Sequence, residues 1–345
     1  MKQPKLSRRK VLVGGVALST LALPGIVRSA DKPEQLVVSD PGGLLHDAYQ
    51  IAYYDTFTAK TGIKIVATPL AGLPKLKLMV ESDAVDVDVI DMEPGEGAVA
   101  SKQGYLDKID WSLTDRSTLL PNTATADTVS STIAAQVLSW NTEAVGKDAP
   151  PSSWADLFDS KRYSGKRCLS KLAERTLEIA LLGDGVAVDK LYPLDVERAL
   201  KKLDTIKSDI VWWDQGAQGA QLLVGGEASI GSCWNGRVYP VKKEGAPVDF
   251  TFNQAIFQAG VWVMPKGGKN EKWAQQFIAN ALLPENQAKM SKVIPYIGNA
   301  KDVLKFVSPE ARSALPDVSK GFWEDISYWA NNPDTYDKFN RWLLG

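Results

Sequence analysis

Histidine and cysteine are scarce in this chain. Its 345 residues include one histidine, His46, and two cysteines, Cys168 and Cys233. A Ser–His or Cys–His nucleophile pair would have to use His46, and no Gly-x-Ser-x-Gly turn lies near it. Zinc sites of the common kinds need clusters of histidine and cysteine, so we expect no metal, although an all-carboxylate site stays open. We therefore expect neither an enzyme nor a bound cofactor.

The two cysteines are too few and too far apart for a disulfide scaffold. Both lie in short apolar segments typical of strands, Lys166–Leu169 and Ala228–Trp234. This favours two buried thiols. A disulfide between them is the alternative, because an oxidising compartment would permit it.

An excess of charge is also absent. Forty Lys and Arg residues stand against 41 Asp and Glu residues, which leaves a net charge of -1. A general nucleic-acid binder needs a basic surface, so the expected partner is a small molecule or another protein. No large apolar patch is evident, and we predict a monomer.

The N-terminus has the pattern of an export signal. Residues 1–10 are basic, Val11–Val27 carries no charge, and Ser29 and Ala30 are small. The adjacent Arg8 and Arg9 resemble a twin-arginine signal. A membrane anchor is the alternative, but the apolar segment is short for a span and is interrupted by glycine and proline. We predict a signal peptide over residues 1–30 and a mature protein in the periplasm.

The remaining chain alternates strands and helices. Strands are predicted at 35–39, 62–68 and 87–91, with a helix at 44–61 between the first two. Two longer apolar strands, 132–141 and 255–264, are interpreted as crossovers between lobes. The prediction is an α/β fold of two lobes joined by a two-strand hinge, with lobe 1 formed by 31–138 plus 260–300 and lobe 2 by 139–259 plus 301–345.

The segment Val211–Pro240 carries the clearest candidate site residues. Trp234 and Arg237 follow a short strand, on a predicted turn at its carboxyl end. Open α/β sheets bind ligands at such ends, and a ring and a guanidinium grip a ligand by stacking and by forked hydrogen bonds. The alternative is a core Trp beside a solvated Arg. Asp86, Asp88 and Asp91 alternate with apolar residues and are interpreted as solvated strand carboxylates.

The chain has five landmark segments: Pro151–Leu157, Ser232–Gly236, Glu244–Val248, Phe277-Ile278 with the following Leu282–Glu285, and Ile294–Tyr296. In these segments it resembles the spermidine/putrescine-binding family, whose members are solute-binding proteins of ABC importers. The resemblance implies the type II periplasmic binding protein fold, closure on a ligand, and docking onto ABC permease subunits of the inner membrane. It matches Trp234 and Tyr296 to the family's stacking residues.

The same resemblance places Glu93 and Glu324 near further family contacts. Where the family has carboxylates that pair with amines, this chain has Leu172, Arg175 and Gly260.

These departures from the family's residues change the charge expected of the ligand. Two arginines, Arg175 and Arg237, suit a carboxylate or phosphonate, and Glu93 suits an amine. We therefore predict a zwitterion such as an amino-acid derivative or an opine-like compound. Asp40, Glu93, Asp214 and Glu324 together could instead rebuild an amine site, which would make this a true putrescine- or spermidine-binding protein. An exported ligand sensor is a further alternative.

Overall fold

The structure of the protein, a computed structural model, describes residues 32–146, 149–312 and 314–345. The predicted signal peptide, 1–30, lies outside the described residues. Nine strands are found in the described part of the chain: β1 Gln35–Asp40, β2 Lys64–Pro69, β3 Val89–Met92, β4 Thr128–Asn141, β5 Arg167–Ser170, β6 Ile210–Trp213, β7 Ile230–Trp234, β8 Val248–Val263 and β9 Gly321–Trp323.

The strands form one mixed sheet in the order β2-β1-β3-β8-β4-β7-β5-β6, with β9 beside β8. On one side β1 pairs in parallel with β2 and β3. On the other side β5 pairs in parallel with β6 and β7. Between them β8 and β4 pair in antiparallel fashion with each other and with their outer neighbours. The sheet therefore has two parallel halves joined by two central strands.

Helices cover both halves. Those that the structure describes are α1 Gly43–Tyr49, α2 Asp55–Thr61, α3 Leu73–Glu81, α4 Pro94–Lys102, α5 Thr142–Val145, α6 Trp154–Leu157, α7 Ala173–Gly183, α8 Val196–Asp204, α9 Gln218–Val224, α10 Asn235–Lys243, α11 Glu271–Ala281, α12 Pro284–Gln287, α13 Pro309–Arg312, α14 Ile326–Asn331 and α15 Asp334–Leu344. The strand–helix alternation predicted from the sequence is confirmed.

The two long central strands run through both halves of the molecule. β4 pairs with β8 from Thr128 opposite Val263 to Asn141 opposite Val248. The register shifts at two irregularities, which bend the pair. Every residue of β4 is buried. The predicted two-strand crossover is confirmed.

Each half has its own hydrophobic core. Around β1 and β3, large buried side chains such as Tyr49, Phe57 and Phe277 pack together. Around β5, a second cluster contains Trp154, Leu177 and Trp329. Because each half of the sheet buries its own apolar face, the fold is two-lobed. The exact lobe boundaries given above stay a prediction.

The predicted helix 44–61 is continuous but contains a π-helical segment. The segment covers Gln50–Tyr54 and links α1 to α2. In a regular α-helix Tyr54 would point about 140° away from Tyr49, at about 100° per residue. The wider π turn brings Tyr49, Tyr53 and Tyr54 to one side of the helix, and all three are buried.

One local prediction is wrong. The residues after Trp234 form no turn: α10 begins at Asn235, so Arg237 lies in the first turn of a helix. The short strand β9 pairs with β8, and Ser153 forms a capping box at α6. The prediction of two buried thiols is confirmed, because both cysteines are buried and free.

Candidate ligand-binding site

A cavity of about 350 Å³ lies between the two halves of the sheet. β3 pairs with β8 near Val263, whereas β7 runs the opposite way and pairs with β4 between Gln136 and Trp140. The carboxyl ends of the two parallel halves therefore point toward each other across the central strands. This is where open α/β sheets bind ligands. The cavity is lined by Pro41, Leu45, Leu70, Gly72, Asp91, Met92, Glu93, Glu96, Thr132, Ala134, Leu172, Trp213, Asp214, Gln215, Gly216, Trp234, Arg237, Gln258, Gly260 and Tyr296.

Five of the eight residues predicted from the sequence line this cavity. They are Glu93, Asp214, Trp234, Arg237 and Tyr296. The structure brings these five together from four separate segments of the chain.

One wall of the cavity is formed by Trp234, Arg237 and Tyr296. The ring of Tyr296 packs against the backbone of Gly236, where an added Cβ would lie 2.4 Å from it. The Nε of Arg237 is buried and has no hydrogen-bond partner among the described residues. Burial raises the pKa of Tyr296 to about 12, with Arg237 opposing the rise, so its hydroxyl stays protonated. This wall therefore offers hydrogen-bond donors that have no partner in the described part of the chain.

Arg175 and Glu324 do not line the cavity but form an ion pair behind it. The Nη1 of Arg175 donates to Oε2 of Glu324 at 2.8 Å, and their side chains are 3% and 4% exposed. The guanidinium carbon lies 5.1 Å from the centroid of the Trp234 ring. Burial disfavours the charged guanidinium, but the carboxylates led by Glu324 outweigh it and raise the pKa of Arg175. Arg175 therefore holds the ring of Trp234 from behind as a cation.

The opposite wall is acidic. Glu93 precedes α4 and accepts a hydrogen bond from Nε2 of Gln258 on β8. Glu96, in the first turn of α4, accepts from the backbone N–H of Leu73 at 3.2 Å. Loss of surrounding water raises the pKa of Glu93, and Arg175 opposes this rise. The cavity therefore has carboxylates on the β3 side and a guanidinium on the β7 side.

Asp91 is a cavity residue that the sequence analysis missed. The sequence predicts a solvated strand carboxylate, but Asp91 is 4% exposed and lines the cavity. The hydroxyl of Tyr49 donates to its Oδ2 at 2.6 Å, and Ser131 donates to its Oδ1 at 3.3 Å. The one available sequence signal was its position at the end of β3, on the face opposite to Asp86 and Asp88.

The one remaining predicted residue, Asp40, lies at the edge of the site, and Asp214 lines the cavity at its rim. Asp40 is buried at the end of β1, where it accepts from Tyr54 at 2.7 Å and from the backbone N–H of Gly42 at 2.9 Å. The Nδ1 of His46 lies 2.8 Å from its Oδ2. These bonds fix the first loop. Asp214 lies at the rim, 53% exposed and 3.3 Å from the Nζ of Lys171.

Removing the ring of Trp234 is expected to weaken ligand binding by about 1–3 kcal/mol, because the cavity loses a stacking surface. Trp234→Ala and Trp234→Phe, which keeps a smaller ring, should be compared by calorimetric titration and thermal unfolding. Trp234 also packs against the core around β1 and β3 and against a smaller buried cluster that contains Trp213 and Cys233. Loss of folding with unchanged affinity in the folded fraction would show that Trp234 is only a core residue.

The fold and the cavity define a class: a two-lobed protein that captures a solute between its lobes. The chain belongs to the family described as bacterial extracellular solute-binding proteins, which matches residues 52–318. It is the solute-binding component of an ABC transporter and not an enzyme.

Known relatives are similar over most of the chain. The gamma-aminobutyric acid-binding protein of Pseudomonas aeruginosa is 30% identical, over 94% of this chain and 95% of its own. The spermidine/putrescine-binding periplasmic protein of Escherichia coli K12 is 25% identical, over 79% of this chain and 82% of its own. This supports the family resemblance drawn from the sequence.

Solved structures agree with the fold. A GABA receptor structure is 40% identical with a TM-score of 0.85, covering 90% of this chain and 97% of its own. AgtB from A. tumefaciens R10, solved in complex with agropinic acid, is 31% identical with a TM-score of 0.80, covering 90% and 99%. Within the described residues no group of side chains is arranged to hold a metal ion, and no helix is long and apolar enough to cross a membrane.

Proposed function

We propose that the protein captures a small zwitterion, with an amine and a carboxylate, of the γ-aminobutyric acid class. The observation that carries this is the electrical asymmetry of the cavity. Arg237 lines it on one side, and Asp91, Glu93 and Glu96 line it on the other. A ligand with opposite charges at its two ends satisfies both walls at once.

The carboxylate of the ligand is assigned to the Arg237 wall. Arg237 lies in the first turn of α10, a helix of nine residues that begins beside the cavity. The N-terminus of a helix favours a negative charge, and the unpartnered Nε of Arg237 adds a charged donor. The ring of Trp234 and the hydroxyl of Tyr296 complete this end.

The amine is assigned to the acidic wall. A bare polyamine would need carboxylates at both ends, because each buried ammonium group needs a partner. On the Arg237 side the carboxylate that lines the cavity is Asp214, which is half exposed and already beside Lys171. The names of two similar proteins, a gamma-aminobutyric acid-binding protein and a GABA receptor, support the proposed class of ligand.

The remaining predicted residues act indirectly in this proposal. Arg175 and Glu324 support the ring of Trp234 from behind, and Asp40 fixes the loop after β1. The lobes, 31–138 plus 260–300 and 139–259 plus 301–345, close on the ligand and then dock on the permease.

We also infer that the protein is exported to the periplasm by the twin-arginine route and acts there as a monomer. The basic, apolar and small segments of residues 1–30 support export. One of the relatives named above is a periplasmic protein. Sedimentation velocity tests the monomer, and a stable dimer in that experiment would contradict it.

A thermal-shift panel tests the ligand class. A ligand present at ~100 times its dissociation constant should add about 2.7 kcal/mol of stability. We expect this from γ-aminobutyric acid, and no comparable effect from butyrate, which lacks the amine, or from putrescine, which lacks the carboxylate. Stabilisation by putrescine or spermidine alone would contradict the proposal and favour the polyamine alternative.

A further inference from the structure

Asp91 is a buried carboxylate without a cation. Its two described hydrogen-bond donors, Tyr49 and Ser131, are neutral. No ion pair of Asp91 exists among the described residues, and it lines the cavity. Burial of a carboxylate without a positive partner is costly. Because Asp91 lines the cavity, a cationic group of a bound ligand can reach it there.

Asp91 is held in place from three sides. Tyr49 reaches it from the helix that carries the π segment, and the hydroxyl of Tyr53 donates to the carbonyl of Ser131 at 3.1 Å. On the strand beside it, a Cβ added at Gly260 would lie 2.9 Å from Ser131 Oγ and 3.3 Å from Asp91 Oδ1. Each oxygen of Asp91 has one protein donor, and a carboxylate oxygen accepts two. One accepting position on each oxygen is therefore left.

Glu93 is less free than Asp91. Its carboxylate already accepts from Gln258, and the Arg175 guanidinium is near enough to oppose the rise that burial causes in the pKa of Glu93. At the other end of the cavity, the Tyr296 side chain is 5% exposed, and its hydroxyl makes no hydrogen bond with the described residues. Unused donors at one end and an unpaired carboxylate at the other point to a ligand that spans both.

We propose that Asp91 receives the ammonium group of the ligand and thereby selects amine-bearing ligands over plain carboxylates. This role of Asp91 rests on the proposed function. It names the residue that distinguishes a ligand with an amine from a plain carboxylate. Tyr49 is a positioning residue, since it acts on the ligand only by orienting Asp91.

The proposal predicts that binding releases a proton. The charged or titratable groups that face Asp91 are Tyr49, Tyr53 and Tyr54 from the helix, Asp40 from β1 and Glu93 after β3. No cation is among them. Burial, aided by Glu93 and Asp40 and opposed by Tyr49 and Ser131, raises the pKa of Asp91 to about 7.

An arriving ammonium favours the ionised carboxylate, so it lowers this pKa and expels the proton. Below pH 7 the ligand competes with the proton. The affinity should therefore rise about tenfold from pH 6 to pH 8 and then level off.

Calorimetric titration with γ-aminobutyric acid and with butyrate, at pH 6, 7 and 8, tests this. In Asp91→Asn the affinity for γ-aminobutyric acid should fall at least about 30-fold at pH 8. Butyrate binding should not weaken, and the pH dependence should disappear. Asp189→Asn, which removes a surface carboxylate that pairs with Lys190 and does not line the cavity, is the control and should retain the affinity and the pH dependence of the wild type.

The outcomes separate the two proposals. If the wild type binds γ-aminobutyric acid and Asp91→Asn binds it equally well, Asp91 is not the ammonium partner, while the proposed function stands. If the wild type does not bind γ-aminobutyric acid, both the proposed function and the role proposed for Asp91 are wrong. Should Asp91→Asn not fold, the wild-type profile decides, because an affinity independent of pH between 6 and 8 overturns the proposal.

Discussion

Replacing Arg175 by methionine is expected to lower the free energy of unfolding by about 3–5 kcal/mol at pH 8. The guanidinium is the partner of Glu324, and both side chains are almost fully buried. Methionine fills similar space, so the main change is the loss of the cation. Glu324 is then left as a buried charge without a partner, which is strongly destabilising.

The effect should depend on pH with a definite sign. Without Arg175, burial holds the pKa of Glu324 above its value in the unfolded chain, so the folded protein binds the extra proton. Stability is then lost as pH rises through that raised pKa, and the destabilisation should be smaller at pH 5 than at pH 8. Denaturant unfolding at both pH values measures this.

The control is the double variant Arg175→Met/Glu324→Gln. It removes both charges and should recover most of the lost stability, because a neutral pair leaves no buried charge. Equal losses in the single and double variants would show that the pair does not matter. A single variant with unchanged stability and lost affinity would instead favour direct ligand contact by Arg175.

Replacing Arg237 by alanine is expected to weaken binding of γ-aminobutyric acid by about 2–5 kcal/mol, with little change in stability. Arg237 has no ion pair among the described residues, and its Nε is unpartnered, so the folded protein without ligand gains little from it. The ligand carboxylate would lose its charged donor. Arg237→Lys should recover only part of the affinity, since lysine keeps the charge but not the forked geometry.

Lys242→Ala supplies a matched control, because Lys242 lies on the same helix but pairs with Asp249 at the surface. Its titration should match that of the wild type. An Arg237→Ala variant that still binds γ-aminobutyric acid with wild-type affinity would contradict the assignment of the carboxylate end.

Local signals in the sequence were enough for much of the architecture. The predicted helix at 44–61 and the apolar runs of β4 and β8 each reflect interactions between near neighbours in the chain. The scarcity of histidine and cysteine argues against a catalytic histidine and against the common zinc sites. The aromatic and cationic residues after β7 pointed to one wall of the cavity because they follow a strand end.

Long-range contacts decided the rest. Arg175 and Glu324 are 149 positions apart, so no local pattern could show that this arginine is committed to a pair rather than to the ligand. Asp91 is the clearest case. The alternation of residues along β3 predicts which face of the strand Asp91 lies on. Its burial at the cavity depends on Tyr49 and Ser131, which come from distant segments of the chain and donate hydrogen bonds to it.

The sequence by itself determined the two-lobed α/β class and the family, because both depend on element order and short motifs. The tertiary structure decided which charges neutralise one another and which remain for a ligand. Electrostatic pairing and burial depend on distance in space, and that distance is set by how β3, β4, β8 and the π-helical segment pack together.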